Sequence, residues 1–230
     1  MNHKTFIFLM ILSLESLNPA RGQDATQLVR NLKSKLDQVS SYEAEGTMKT
    51  NVPFLKVPAA RVKIFYKKPD KFRVKNEQGI SLVPKTISSI SLNSLVDGNY
   101  SILDAGREVV SGQSLRVIKL LPSDENQEIV LSTLYIDEKD LLIVRARTTT
   151  KENGTYEVEL AYGKYSSYAL PDKVICRFNS KDYKLPKGVT FDYDDGSNKK
   201  KEDQPAGTKG QVEIIYNSYQ INKNIPDSVF

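Results

Sequence analysis

The chain has 230 residues, 39% of them hydrophobic and 27% charged, which suits one globular domain with a sizeable core. Its 33 Lys and Arg against 28 Asp and Glu give a net charge of +5, scattered among carboxylates rather than gathered on a basic stripe, which excludes a dedicated nucleic-acid protein. A single cysteine, Cys176, excludes an internal disulfide, so an exported domain of this size must rely on its core.

At the N-terminus Lys4 precedes an apolar run from Thr5 to Leu14, and a polar segment then ends in Ala20-Arg21-Gly22, with small residues at the two positions a signal peptidase reads. The run falls short of the ~20 apolar residues of a membrane span. Residues 1–22 are therefore expected to be a signal peptide, with residues 23–230 forming a single mature domain that is exported and soluble. No cysteine stands near the cut, so lipid attachment at that point is closed.

From Asp24 to Ser40 the apolar positions Ala25, Leu28, Val29, Leu32, Leu36 and Val39 repeat every 3.6 residues, which predicts an amphipathic helix capped by Asp24. The period then becomes two. Tyr42, Ala44, Gly46 and Met48 alternate with polar residues, and Ala60, Val62, Ile64 and Tyr66 turn back at Pro69-Asp70 into Phe72 and Val74, which predicts a hairpin. A short strand is expected at Gly79 to Pro84 and a brief helical turn at Ser91 to Val96. Extended segments follow at Tyr100 to Val110 and Ser114 to Pro122. The stretch 128–150 reads as a hairpin around Asp137 to Asp140, and further strands carry Tyr156, Val158, Leu160 and Tyr162, then Val174, Cys176 and Phe178. Residues 192–210 read as a mobile polar loop, and "QVEIIYNSYQIN" as the last strand. One helix followed by a long antiparallel meander predicts a mainly β, α+β fold with no βαβ alternation.

The chemistry available to such a chain is narrow. His3, the only histidine, leaves with the signal peptide, which removes Ser-His and Cys-His nucleophile pairs and the commonest metal ligand. Cys176, between Val174 and Phe178, reads as a buried apolar residue rather than an activated thiol. Asp192, Asp194 and Asp195 lack the ligand spacing of a calcium loop and are followed by three lysines. Catalytic residues, metal ligands and cofactors are accordingly expected to be absent.

What remains is one apolar sheet face, for which Leu142, Val144, Leu160, Tyr162, Val174, Phe178, Ile214 and Tyr216 join the positions already named. One helix cannot cover so long a meander, so the sheet must curl on itself, and its interior is either an ordinary core or a cavity.

The ordered set "LVRNLKSKLDQVSSYEAEGTM", "YKKPDKFRV", "LYIDEKDLLIVRAR" and "YNSYQINKNIPDSVF" resembles the LolA/LolB-like periplasmic lipoprotein-carrier superfamily over most of Asp24 to Phe230. The resemblance implies a curved antiparallel sheet forming an unclosed half-barrel, covered by the N-terminal helix and short lid helices. It implies a periplasmic carrier, monomeric and non-enzymatic, that holds lipoprotein or other lipid acyl chains in an apolar cavity for transfer toward the outer membrane. The lining expected on that basis is Tyr42, Met48, Val62, Ile64, Tyr66, Phe72, Val74, Ile118, Leu120, Leu134, Ile136, Tyr156 and Val158. Arg61 and Arg73 are the candidates for the family's functional arginine, and Lys67, Lys68 and Lys71 for transient contact with an anionic membrane. An envelope sensor or assembly module that binds a protein partner is the alternative with the same fold, and a lipid-modifying enzyme is a third.

Overall fold

A computed structural model describes residues 19–52, 55–56, 58–76, 92–152, 154–179 and 209–230. Helix α1 (Pro19–Leu36) is followed by strands β1 (Ser41–Val52), β2 (Leu55–Lys56), β3 (Ala60–Lys67), β4 (Lys71–Asn76), β5 (Tyr100–Val110) and β6 (Gln113–Pro122). Then come β7 (Ile129–Asp137), β8 (Leu142–Thr150), β9 (Gly154–Ala161), β10 (Lys173–Asn179) and β11 (Lys209–Ile221). The strand expected at Gly79 to Pro84, most of the loop at 192–210 and most of the leader lie outside the described residues.

All strands join one antiparallel sheet in the order β4-β3-β1-β11-β10-β9-β8-β7-β6-β5, with β2 attached to β1. The last strand inserts between β1 and β10, so the chain's two ends meet in mid-sheet. β4 and β5 are the edges among the described strands, and the sheet does not close into a barrel. Strands consecutive in sequence thus end at opposite edges. Residues 92–97, the described end of their connection, return to the inner face beside α1, where Leu95 and Val96 are buried in the core and Lys33 of the helix bonds to Asp97.

The period-two and period-3.6 patterns meet in one core. Ala25, Leu28, Val29, Leu32 and Leu36 of α1 pack on Met48, Val62, Ile64, Ile118, Leu134, Ile136 and Val158 of the sheet, all buried. The apolar stripe of the helix and the apolar face of the sheet each find a dry partner, which is what drives the two together.

Three local expectations change. The helix runs from Pro19 rather than Asp24, with proline in the first turn where its missing N–H costs nothing. Asp24 is therefore no cap, and it bonds Arg116 instead. The helix stops at Leu36 rather than Ser40 because the Asn222 side chain takes the next backbone groups, donating to Gln38 O at 3.0 Å and accepting from Ser40 N at 2.8 Å. Val144 was expected on the inner face, but a bulge in β8 pairs Tyr135 with Arg145 and Ile136 with Ile143. The extra residue reverses the phase, so Ile143 is buried and Val144 lies half-exposed outside.

Candidate functional site

The candidate site is a cavity of about 70 Å³ at the C-terminal end of α1. Its floor is sheet: Tyr42, Tyr66 and Phe72 on one side, Ile214 and Tyr216 in the middle, and Val158, Leu160, Val174 and Cys176 on the other. Leu36 and Val39, at and just beyond the helix end, and Leu92 and Asn93 form the roof. The loop from Tyr168 to Pro171 forms the remaining wall. Tyr168 is 42% exposed and stands where the cavity meets solvent. Ala169 sets that loop by adopting a left-handed conformation (φ 51°) at the end of the 3₁₀ turn Ser166–Tyr168.

A second bulge shapes the floor. Glu45 pairs with Ser218 and Gly46 with Tyr216, so Asn217 is the extra residue. The phase of β11 reverses there, and Tyr216 and Tyr219, three apart, both turn inward and stack with ring centroids 5.0 Å apart. Position 46 must be glycine for this, because a Cβ there would lie 2.5 Å from the Ile215 carbonyl oxygen. Tyr42 meets Tyr219 edge-on at 5.3 Å and Tyr66 at 5.3 Å, and Tyr165 meets Tyr219 at 5.0 Å. Such tilted and edge-on pairs are the favourable aromatic geometries.

Most of the buried phenols are satisfied. Tyr219 donates to Pro171 O at 2.7 Å, Tyr162 to Ile143 O at 2.8 Å and Tyr100 to Asp97 O at 2.5 Å, and Tyr66 O accepts from Asn93 Nδ2. Burial raises the phenol pKa of Tyr42, Tyr66, Tyr156, Tyr162, Tyr216 and Tyr219 above its ordinary value, that of Tyr156 to about 12. The Cys176 thiol is likewise pushed to about 12 by burial, so it is a neutral thiol at physiological pH. The described lining contains no carboxylate, lysine, arginine or histidine. It therefore presents no group charged at neutral pH and no proton acceptor suited to general-base chemistry.

Of the thirteen lining positions expected from sequence, Tyr42, Tyr66, Phe72 and Val158 border this cavity. Met48, Val62, Ile64, Val74, Ile118, Leu120, Leu134, Ile136 and Tyr156 are buried in the surrounding core without bordering it. Leu36 and Val39, read from sequence as part of the helical stripe but not as lining, also border it, while Asn93 and the 168–171 wall escaped the sequence reading because they lie in loops where no period marks the inward side. Arg61 and Arg73 are both exposed, and the Arg73 guanidinium donates to the carbonyls of Val229 and Phe230, away from the cavity. The turn lysines are also engaged. Lys67 and Lys71 pair with Asp227 at 2.7 and 2.9 Å, and Lys68 with Asp37 at 2.6 Å. This pairing neutralises much of the cationic turn that the sequence offers to an anionic membrane.

Elsewhere, Arg116 joins Asp104 at 2.6 Å and Asp24 at 3.0 Å, tying the start of α1 to β5 and β6. Among the described residues there is no group of three or more His, Cys, Asp or Glu able to hold a metal ion. No described helix is long and apolar enough to cross a membrane.

No protein-family profile and no curated protein sequence matches this chain. Solved structures do. A DUF1329 family protein from Desulfovibrio piger superposes with a TM-score of 0.56 at 13% identity, over 91% of this chain and 96% of its own. A putative outer membrane lipoprotein-sorting protein domain from Vibrio parahaemolyticus gives 0.56 at 10% identity, over 90% and 96%. A LolA superfamily protein from Nitrosomonas europaea gives 0.54 at 12% identity, over 88% and 96%. The chain has the fold of these proteins, and its curved, unclosed antiparallel sheet covered by the N-terminal helix is the architecture that the resemblance implied.

Proposed function

We propose that this chain is a non-catalytic carrier of the bacterial envelope that shields an acyl chain of a lipoprotein or other lipid between the sheet and the end of α1. The observation that carries the reading is a solvent-reached cavity whose described walls are almost wholly apolar and aromatic, with no charged side chain. Burying a methylene is worth ~0.8 kcal/mol, so a 16-carbon chain gains on the order of 10 kcal/mol gross before ordering costs. No metal or base is needed for that. At about 70 Å³ the cavity is smaller than the ~150 Å³ apolar hole that admits benzene, so a long chain enters only as the roof parts from the sheet. The shared fold with a lipoprotein-sorting domain supports the same reading, and residues 1–22, as an export leader, would deliver a soluble mature domain beginning at Gln23 to the periplasm.

The test is to purify the protein from its native envelope without detergent and to analyse the extracted lipids by mass spectrometry. Acyl lipid at a near-stoichiometric ratio is expected. A lipid-free protein that also binds no apolar probe at micromolar concentration would sink the carrier.

A further inference from the structure

Among the cavity-lining tyrosines that are not solvent-exposed, two stand apart. Tyr42 and Tyr216 both border the cavity and both have their phenol pKa raised by burial, yet neither hydroxyl makes a hydrogen bond to any described residue. Their neighbours differ. Tyr66, which borders the same cavity, accepts a bond from Asn93, and Tyr219, which is packed between the two, donates to Pro171 O. Neither hydroxyl is among the described side-chain polar atoms closed off without a partner, which are Thr50 Oγ1 and Arg145 Nε. Tyr42 and Tyr216 thus border the cavity from adjacent strands, β1 and β11, on either side of Tyr219, with no described partner for either hydroxyl.

We propose that Tyr42 and Tyr216 form a polar seat in the cavity floor that receives the carbonyl oxygen of an esterified or amide-linked acyl chain in preference to a free fatty acid. The inference rests on the carrier reading and specifies its ligand. A carbonyl oxygen has two lone pairs and accepts two hydrogen bonds without bringing charge. A free carboxylate would need a cation. The described lining supplies none, and Lys33 of α1 and Lys68 of the β3–β4 turn are already paired with Asp97 and Asp37. Burying an unpaired carboxylate costs far more than two neutral hydrogen bonds return. Cargo arriving as an acyl ester or amide, the form in which acyl chains are attached to glycerol or to protein, meets a site already built for its linkage group.

The test uses the full-length chain with N-phenyl-1-naphthylamine as a neutral fluorescent occupant, displaced at pH 8 by methyl laurate or by laurate. The ester is expected to compete at least ~10-fold better than the acid. Replacing both hydroxyls, Tyr42→Phe with Tyr216→Phe, keeps the rings and should leave the naphthylamine bound and the melting temperature unchanged or raised. It should weaken methyl laurate roughly 10- to 100-fold, the worth of two hydrogen bonds. Tyr219→Phe is the control, because its hydroxyl bonds Pro171 O: it should lower the melting temperature and keep the ester preference. Equal competition by acid and ester, or an ester preference that survives in the double variant, overturns the seat and leaves the carrier standing. If the wild-type chain binds neither the naphthylamine nor the ester, the carrier reading fails and the seat with it.

Discussion

Ile64→Ala and Phe72→Ala, made separately, ask whether the inner face is one continuous core or a core with a working cavity at one end. Ile64 is fully buried, held between Ala44 on β1 and Val74 on β4, and does not border the cavity. Truncating it leaves a hole the surrounding strands cannot fill, at a cost of about 2–5 kcal/mol. At about 2–4 °C per kcal/mol for a chain of this length, the melting temperature should fall by roughly 4–20 °C. Phe72, by contrast, is only partly buried and borders the cavity opposite Tyr66. Full burial of a phenylalanine is worth about 1.5–3 kcal/mol, so its truncation should cost about 1 kcal/mol, or a few degrees. Binding should respond in the opposite order. Loss of the Phe72 ring is expected to weaken N-phenyl-1-naphthylamine by about tenfold, which corresponds to 1.4 kcal/mol of lost contact, whereas Ile64→Ala should leave affinity within about threefold below its melting point. Thermal melting and fluorescence titration of both variants give the two ratios. Equal losses of stability with binding changes that merely follow them would mean that Phe72 is core and that the cavity has no separate role.

Gly46→Ala places a Cβ against the Ile215 carbonyl oxygen, and should cost about 1–3 kcal/mol and weaken near-ultraviolet circular dichroism as the Tyr216–Tyr219 stack shifts; an unperturbed spectrum would contradict the role given to the bulge. Alkaline stability should fall from about pH 10 upward. The folded-state phenol pKa values lie above the unfolded one, so the unfolded chain loses protons first, and stability fully present below pH 10 drains as pH rises toward the folded values. Tyr156 alone, at about 12, contributes on the order of 2–3 kcal/mol, and absorbance at 295 nm should show tyrosinate appearing together with unfolding; free titration of these phenols in the folded protein would refute their burial. Asp227, held to about 2 by Lys67 and Lys71, should keep its contribution above about pH 4 and lose it as pH falls through 2. A carboxyl resonance of Asp227 titrating near 4 by NMR would contradict the pairing.

The fold was legible where side-chain period and packing agree. The stripe from Ala25 to Leu36 and the alternation through Val62, Ile64 and Tyr66 each bury the residues they mark, so a one-face pattern was enough to call for a curled sheet under a helix. The cavity was legible only in part, because bulges reverse the phase that the pattern assumes. Val144 was read inward for that reason, and Tyr219 was passed over. Two tyrosines three apart in "YNSYQI", opposite a glycine in the partner strand, were the available signal, since only a bulge turns both to one side. Leu92 and Asn93 fall in a stretch read only as a helical turn, and their place depends on where the connection between the two sheet edges returns, which is a property of the assembled sheet; the 168–171 wall lies in the loop between β9 and β10, where no period marks an inward side.

Where the roof parts from the sheet follows from how its two ends are held. At the start of α1 the tie is Asp24 of the helix to Arg116 of the sheet at 3.0 Å, and Arg116 keeps its separate pair with Asp104 on β5 whether or not the helix moves. At the cavity end, Lys33 bridges Asp37 and Asp97, and Lys68 adds to Asp37, with side-chain exposures of 42%, 40%, 36% and 28% in that order. Pairs so exposed contribute about 0–1 kcal/mol each and weaken with salt. The apolar contacts do distinguish the two ends, since Leu32 is fully buried while Leu36 and Val39 border the cavity itself. Lifting the last turn of α1 and the 92–97 segment therefore exposes surface that already touches open space, and it breaks exposed ion pairs and the hydrogen bond from Asn93 to Tyr66. Lifting the other end would open the packed core around Ile118 and Leu134. Opening at the cavity end of the helix is therefore the less costly motion, and it uncovers the cavity that Tyr42 and Tyr216 border.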